Sequence, residues 1–335
     1  MTSLSPPLPR EAQFEVTGSC NLRCRMCLVR YAPPLNKVEG TLSFDLFRSV
    51  VDDLPDLEKV TLQGLGEPLL APDLFRMIEY AALRGIRTGF NTNATLLSRK
   101  RAQRLVLAGL DWLCISLDGA TPATYEGVRD GSSFERLRRN VLGLVDVMRE
   151  LDADRPRLSV VFVAMRRNVA ELEDVIRLAH EWGILRVRVQ NLSHSFSDTD
   201  PAGGYREIRE FTAAEALWRG PDEPVGVEAF ANARRVAQEL GVDLRLPSLR
   251  AQETKRRRGS PGCGWPWGEV YVTHDGKIEP CCMIMGSERA TLGDVSVDSF
   301  PDIWWGESYT EFRRALLADE PPEVCRGCSM YRGVF

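Results

Sequence analysis

Histidine is scarce, with three in 335 residues. His180, His194 and His274 lie too far apart to form a metal-like cluster. There is no run of about 18 apolar residues, so no transmembrane helix is expected. The opening MTSLSPPLPREAQ has neither an apolar core nor a small-residue cleavage site. No signal peptide is expected, and the chain reads as cytoplasmic. Internal repeats and low-complexity tracts are also missing. The net charge of −4 gives no reason to expect nucleic acid or a membrane surface as partner. The short basic run KRRRG, Lys255–Gly259, reads as a solvated linker. Nine cysteines without an export signal argue against a disulfide framework and for metal or redox chemistry.

Strand-like and helix-like segments alternate up to about residue 245. The strand candidates are residues 13–18, 59–64, 86–91, 112–118, 158–165 and 185–192. Between them lie helical patterns such as DLFRMIEYAALRG and FERLRRNVLGLVDVMREL, several ending in Gly as helix C-caps do. Six β-α units of this kind predict a parallel sheet with right-handed crossovers. Several strands alternate where a strand covered on both faces would be apolar throughout. Leu185, Val187 and Val189 alternate with Arg186, Arg188 and Gln190. Val60 and Leu62 alternate with Lys59, Thr61 and Gln63, and Leu113, Ile115 and Leu117 with Trp112, Cys114 and Ser116. A barrel or partial barrel with a polar lumen and helices outside accounts for this.

After residue 250 the composition shifts. EVYVT, a DG turn and KIEPC read as a β-hairpin. The expected division is therefore a barrel over 1–250 and a small second domain over 251–335.

Cys20, Cys24 and Cys27, spaced C-x3-C-x2-C, are too close together to be unrelated core thiols. Structural zinc wants four closed ligands. A [4Fe-4S] cluster held by three cysteines leaves one iron open to a small molecule. This motif, with Met26 before its last cysteine, resembles the signature of the radical S-adenosylmethionine (SAM) superfamily. GLGEP (Gly64–Pro68), FNTNAT after the third strand and SLDG (Ser116–Gly119) after the fourth resemble later family motifs in the same order. Leu65 and Ala94 stand where the family often has Gly.

The resemblance implies an α/β partial (β/α)6 TIM-like barrel and cleavage of SAM to a 5′-deoxyadenosyl radical that removes hydrogen from carbon. It further implies that Cys20, Cys24 and Cys27 hold the cluster, that Glu67 accepts from the SAM amino group, and that Gly66 admits the methionine end. Met26 would border the adenine; Asn93, Ser116 and Arg129 would serve the ribose and carboxylate. An external one-electron donor such as flavodoxin or ferredoxin is also implied.

Cys263, Cys281, Cys325 and Cys328, with Gly276 five before Cys281, resemble the SPASM/Twitch extension of these enzymes. The chain ends seven residues after Cys328, so the one-cluster Twitch form is expected, a β-hairpin plus helix, for two [4Fe-4S] clusters in all. Zinc is the alternative at these four cysteines. Cys282 adjoins the expected ligand Cys281. Cys114 reads as a buried thiol, with a hydrogen donor in the lumen as the lesser reading. His194 follows the sixth strand and reads as a loop histidine, with a catalytic place within reach of the site as the lesser reading.

For substrate, the pattern resembles 2-deoxy-scyllo-inosamine dehydrogenase and cytosylglucuronate decarboxylase type enzymes of antibiotic biosynthesis. That implies a small carbohydrate-like natural product, dehydrogenated, epimerised or decarboxylated by an oxidoreductase or lyase. Arg186 or Arg188 would supply a planar fork for a carboxylate. Glu15, Gln63 and Gln190 would meet hydroxyls, and Trp265 or Trp267 would stack on a ring or pack around the cluster. The alternatives are a peptide or protein maturase of the SPASM type, and a non-catalytic iron–sulfur or zinc protein.

Overall fold

The computed structural model describes residues 3–31, 40–200, 202–219, 224–250, 262–284, 286–318 and 321–335. The basic run Lys255–Gly259 and the expected domain junction at 250/251 fall at or in a stretch outside the described residues.

Among the described residues ten strands form one sheet: β1 (Glu11–Phe14), β2 (Lys59–Thr61), β3 (Arg87–Thr92), β4 (Trp112–Ser116), β5 (Arg157–Ala164), β6 (Arg186–Asn191), β7 (Asp243–Arg245), β8 (Glu269–Val272), β9 (Lys277–Glu279) and β10 (Gly293–Asp294). Their order is β10-β9-β8-β1-β2-β3-β4-β5-β6-β7. β1 to β7 run parallel in sequence order, as crossover connections require. This is the partial barrel. Its first strand begins two residues earlier than the sequence pattern predicts, and β7 was not foreseen. β7 has three residues, too few to register a period of two.

The expected alternation is present. Val60, Leu62, Leu113, Ile115, Val187 and Val189 are buried toward the helices, whereas Arg186 and Arg188 are exposed toward the lumen. Leu185 departs from the pattern: it precedes β6 and is 50% exposed. The outer layer follows ordinary helix rules. The helix Phe134–Glu150 is capped by Ser133, whose hydroxyl accepts from Arg136 N, and it buries Phe134, Leu137, Val141, Leu144 and Val147 at helical spacing. Gly109 and Gly183 take left-handed φ of 85° and 77° where helices hand over to β4 and β6.

The C-terminal hairpin does not build a sheet of its own. β8 pairs in parallel with β1 from Glu11↔Glu269 to Phe14↔Val272, and β9 turns back antiparallel at Gly276, φ 89°. The N-terminal segment ties the two parts further. Trp267 donates to Ser3 O (2.7 Å), Trp305 to Pro6 O (2.8 Å) and Trp304 to Pro7 O (3.0 Å). Prolines leave carbonyls free to accept and bring no N–H to satisfy. No helix among the described residues is long and apolar enough to cross a membrane.

Candidate functional site

The loop Cys20–Cys27 leaves the C-terminal end of the β1 segment, where a parallel α/β barrel places its working residues. Donors face its sulfurs. Leu22 N lies 3.4 Å and Asn93 Nδ2 3.9 Å from Cys20 Sγ, and Arg129 Nη1 lies 3.8 Å from Cys24 Sγ. Burial pushes the Cys20 thiol up to about 11 and raises Cys24 as well. Free thiolates are costly there. Metal-bound thiolates, with cationic iron beside them and N–H groups around them, are not. Among the described residues no three His, Cys, Asp or Glu side chains converge as the ligands of a single ion. A four-iron cluster is larger than an ion and takes its thiolates spread apart, as a three-cysteine loop offers them. The donor set fits the cluster.

The GLGEP turn packs under this loop. Glu67 N donates to Ser19 O at 2.9 Å. A Cβ at Gly66 would run into the carbonyl oxygens of Thr17 and Ser19, so only glycine leaves that approach open. Glu67 is 3% exposed. Its Oε1 accepts from Thr92 Oγ1 (2.6 Å) and Leu69 N (3.3 Å), and its Oε2 from Asn93 N (2.8 Å). Burial raises its pKa despite these bonds. A buried carboxylate fixed in this way suits an amine N–H, and the cradle fits the methionine end of SAM. Met26 is half-buried against the apolar group of Val128, Met165, Leu192 and Trp218, an apolar floor suited to a base. Ser116 sits half-buried at the end of β4.

Several expected residues also have partners within the fold. Arg129 is buried, its Nη2 2.6 Å from Asp118 Oδ2. It serves Cys24 and Asp118, and Asn93 serves Cys20 and Asn21. Asp118, fully buried, also accepts from Val163 N at 2.7 Å. Its role was missed in the sequence, although a lone Asp closing an apolar strand in SLDG was the available signal. Glu15 is corrected. It is 1% exposed, its Oε1 accepts from Leu65 N (3.1 Å), and its Oε2 lies 3.2 Å from His274 Nδ1. The carboxylate braces the Gly64–Leu65 turn and does not line the lumen. His194 is also corrected. It accepts from Phe196 N through Nδ1 (2.8 Å), so its Nε2–H donates to Val324 O (2.7 Å). With its β-bridge partner Cys328, it docks the C-terminal segment against the barrel.

A cavity of about 730 Å³ fills the lumen. Gln63, Gln190, Arg186, Arg188 and Cys114 all line it, as expected for lumen residues. Cys114 Sγ lies 3.1 Å from Ser159 Oγ. At one end the wall is Gly64 and Leu65, beside the SAM cradle; at the other it includes Trp265, Cys282 and Met283. Trp267 instead binds the N-terminal segment.

Of the expected auxiliary cysteines, Cys281 follows β9 with Cys282 beside it, and Cys325 and Cys328 lie on the C-terminal segment that His194 docks. Burial drives Cys281 well upward, and Cys282, Cys328, Cys263 and Cys325 add to the rise in that order. Burial also pushes Cys328 up to about 11, although Met330 N–H points at it. Thiols that act on one another in this way share one neighbourhood, and thiolates are the donors that iron–sulfur ligation takes.

A model of the radical SAM superfamily matches residues 14–179, and a model of an iron–sulfur cluster-binding domain of the SPASM type matches residues 263–329. The chain is 26% identical to the AdoMet-dependent heme synthase of Methanosarcina barkeri, covering 96% of this chain and 88% of that protein. It is 27% identical to the PqqA peptide cyclase of Gluconobacter oxydans, over 98% and 84%. Among solved structures, Streptococcus suis SuiB bound to precursor peptide SuiA superposes with a TM-score of 0.66 at 14% identity, over 97% of this chain and 71% of that one. The last likeness establishes the fold. The chain belongs to the radical SAM superfamily and is an enzyme of the SPASM type, using SAM and [4Fe-4S] clusters.

Proposed function

We infer that this radical SAM enzyme modifies a peptide, removing hydrogen from a carbon of a segment seated in the lumen. The observation that carries this reading is the single cavity running from the Gly64–Leu65 turn to the Cys282–Met283 loop. Substrate held there lies between the SAM cradle and the auxiliary cysteines. The likeness to a peptide cyclase along nearly the whole chain supports a peptide in that space. This reading replaces the carbohydrate-like substrate expected from the sequence.

When bound, SAM and the Cys20–Cys24–Cys27 cluster supply the hydrogen-abstracting radical. The chain's own residues do the rest. Glu67 orients the amine of SAM, and Gly66 allows close backbone approach. Gln63 is fixed because its Oε1 accepts from Asn91 N (2.9 Å), while its carbonyl accepts from Gln13 Nε2 (3.0 Å). A wall held in this way positions substrate at low entropic cost. The apolar packing behind the strands excludes water. Cys282 and Met283 line the same cavity, and a cluster held by the neighbouring auxiliary cysteines would supply an electron acceptor on that side. One auxiliary cluster on Cys263, Cys281, Cys325 and Cys328 is the ligand set this reading assigns.

The test is anaerobic 5′-deoxyadenosine formation with SAM and reductant, comparing a peptide pool, a carboxylated porphyrin and sugar nucleosides. A rise with peptides alone is expected. A rise confined to the porphyrin or to a sugar would overturn the reading.

A further inference from the structure

The lumen is strongly cationic although the chain as a whole is not. Seven cationic side chains line the cavity, against two acidic ones, Asp111 and Asp243, in a protein of net charge −4. Two of the seven are already neutralised within the fold. Lys59 pairs with Glu11 at 2.5 Å, and Arg155 pairs with Asp111. Arg87, Arg157, Arg186, Arg188 and Arg245 have no ion-pair partner among the described residues, and all five are exposed into the cavity. Asp243 stands opposite Arg186 in the strand register, and Asp111 is engaged by Arg155 and by Thr88 N.

Their depth matters. Arg186 and Arg157 open their strands, at the end of the barrel away from the cysteine loop. Arg188 and Arg245 are register partners one layer further in, and Arg188 acts electrostatically on the Cys114 thiol. Gln190 follows two residues above Arg188, which is roughly 7 Å along a strand. Paired guanidinium forks lacking a carboxylate, inside a walled cavity, recognise a carboxylate by bidentate hydrogen bonds strengthened by the reduced dielectric. A solvated outer face would instead mix both signs of charge, as the helix surface does with Arg149–Asp146 and Arg235–Glu239.

We propose that the lumen selects an acidic peptide segment, with the side-chain carboxylate of an Asp or Glu held by Arg188 and Arg245. Gripping the carboxylate at that depth sets which neighbouring carbon is raised into the Gln63–Gln190 layer. The lower arginines, Arg157 and Arg186, receive further acidic groups of the same segment. This rests on the peptide reading above for the nature of the ligand, but the anion preference itself does not.

The experiment uses the full chain, anaerobically reconstituted and saturated with SAM. Fluorescence anisotropy follows a labelled Glu-rich peptide, its Gln counterpart and competition by tricarballylate. The Glu peptide is expected to bind about tenfold tighter than the Gln peptide, with the gap narrowing at high salt. R188Q/R245Q should erase the gap at unchanged melting temperature, and R188K should restore part of it, because charge is kept and the fork is lost. Equal binding of the two peptides by the unaltered enzyme, or a gap that survives in R188Q/R245Q, would overturn the proposal. Tricarballylate binding as tightly as the Glu peptide, and lost in R188Q/R245Q, would uphold the anion site and sink the peptide reading.

Discussion

The guanidinium of Arg129 stands 2.6 Å from the carboxylate of Asp118, both side chains buried, with Cys24 Sγ on its other side. The pair puts a compensated positive charge behind Cys24, the proposed cluster ligand. Removing one member leaves the other charge buried and alone. Asp118→Asn or Arg129→Met should lower the stability of the iron-free chain by about 3–5 kcal/mol, read from anaerobic urea unfolding. The double variant should cost less than the sum of the two singles. Simple additivity would mean that the pair is not coupled.

The glycine at 66 makes a steric prediction with a built-in control. Gly66→Ala drives a methyl into the Thr17 and Ser19 carbonyls and should abolish SAM binding measured by calorimetry. Gly143→Ala, in the helix Phe134–Glu150 with open space at its Cβ, should stabilise by about 0.5–1 kcal/mol. Normal SAM binding by Gly66→Ala would show that the close approach is not needed.

The two cysteine sites should separate by iron content. A C20A/C24A/C27A chain should retain about half of its iron, bound as the auxiliary cluster. At the C-terminal site, Cys281→Ala should lose that cluster and Cys282→Ala should keep it. Cys282 lines the lumen and Cys281 does not, which leaves Cys281 as the proposed ligand. Mössbauer and iron assays on both variants decide it, and the reverse pattern would exchange their roles.

Glu67 carries a pH signature. Burial raises its pKa above the usual carboxylate value, so the folded chain holds this proton more tightly than the unfolded one. Its contribution to stability is therefore full at pH below the unfolded carboxylate pKa and declines as pH rises through the folded pKa. Glu67→Gln removes that decline. In the iron-free chain, the melting temperature of Glu67→Gln minus that of the unaltered chain should increase with pH across this window. A constant difference would mean that Glu67 does not titrate there.

The barrel and the first cysteine site were legible because each has a local sequence signal. Alternation in Lys59–Gln63 and Leu185–Gln190 placed the lumen face, and three closely spaced cysteines located the site. What escaped has no period. The direct pairing of β8 with β1 depends on contacts across more than 250 residues. The Trp267, Trp304 and Trp305 bonds to the Ser3–Pro7 carbonyls depend on indoles far away in sequence. Glu15 was placed on the correct face at the wrong depth, because a period of two does not reveal that the Gly64–Leu65 turn covers that end of the strand. Arg129 was read as a SAM contact and Asp118 only as part of SLDG, and it is the fold that brings the two together.

The central claim is that this chain takes hydrogen from a peptide. The most direct measurement is deuterium transfer: a perdeuterated peptide pool, SAM and reductant under strict anaerobiosis, with the 5′-deoxyadenosine analysed by mass spectrometry. The account predicts one deuterium gained in 5′-deoxyadenosine and a matching loss in one peptide of the pool, both absent in C24A. Unlabelled 5′-deoxyadenosine at the same rate with and without peptides would contradict it.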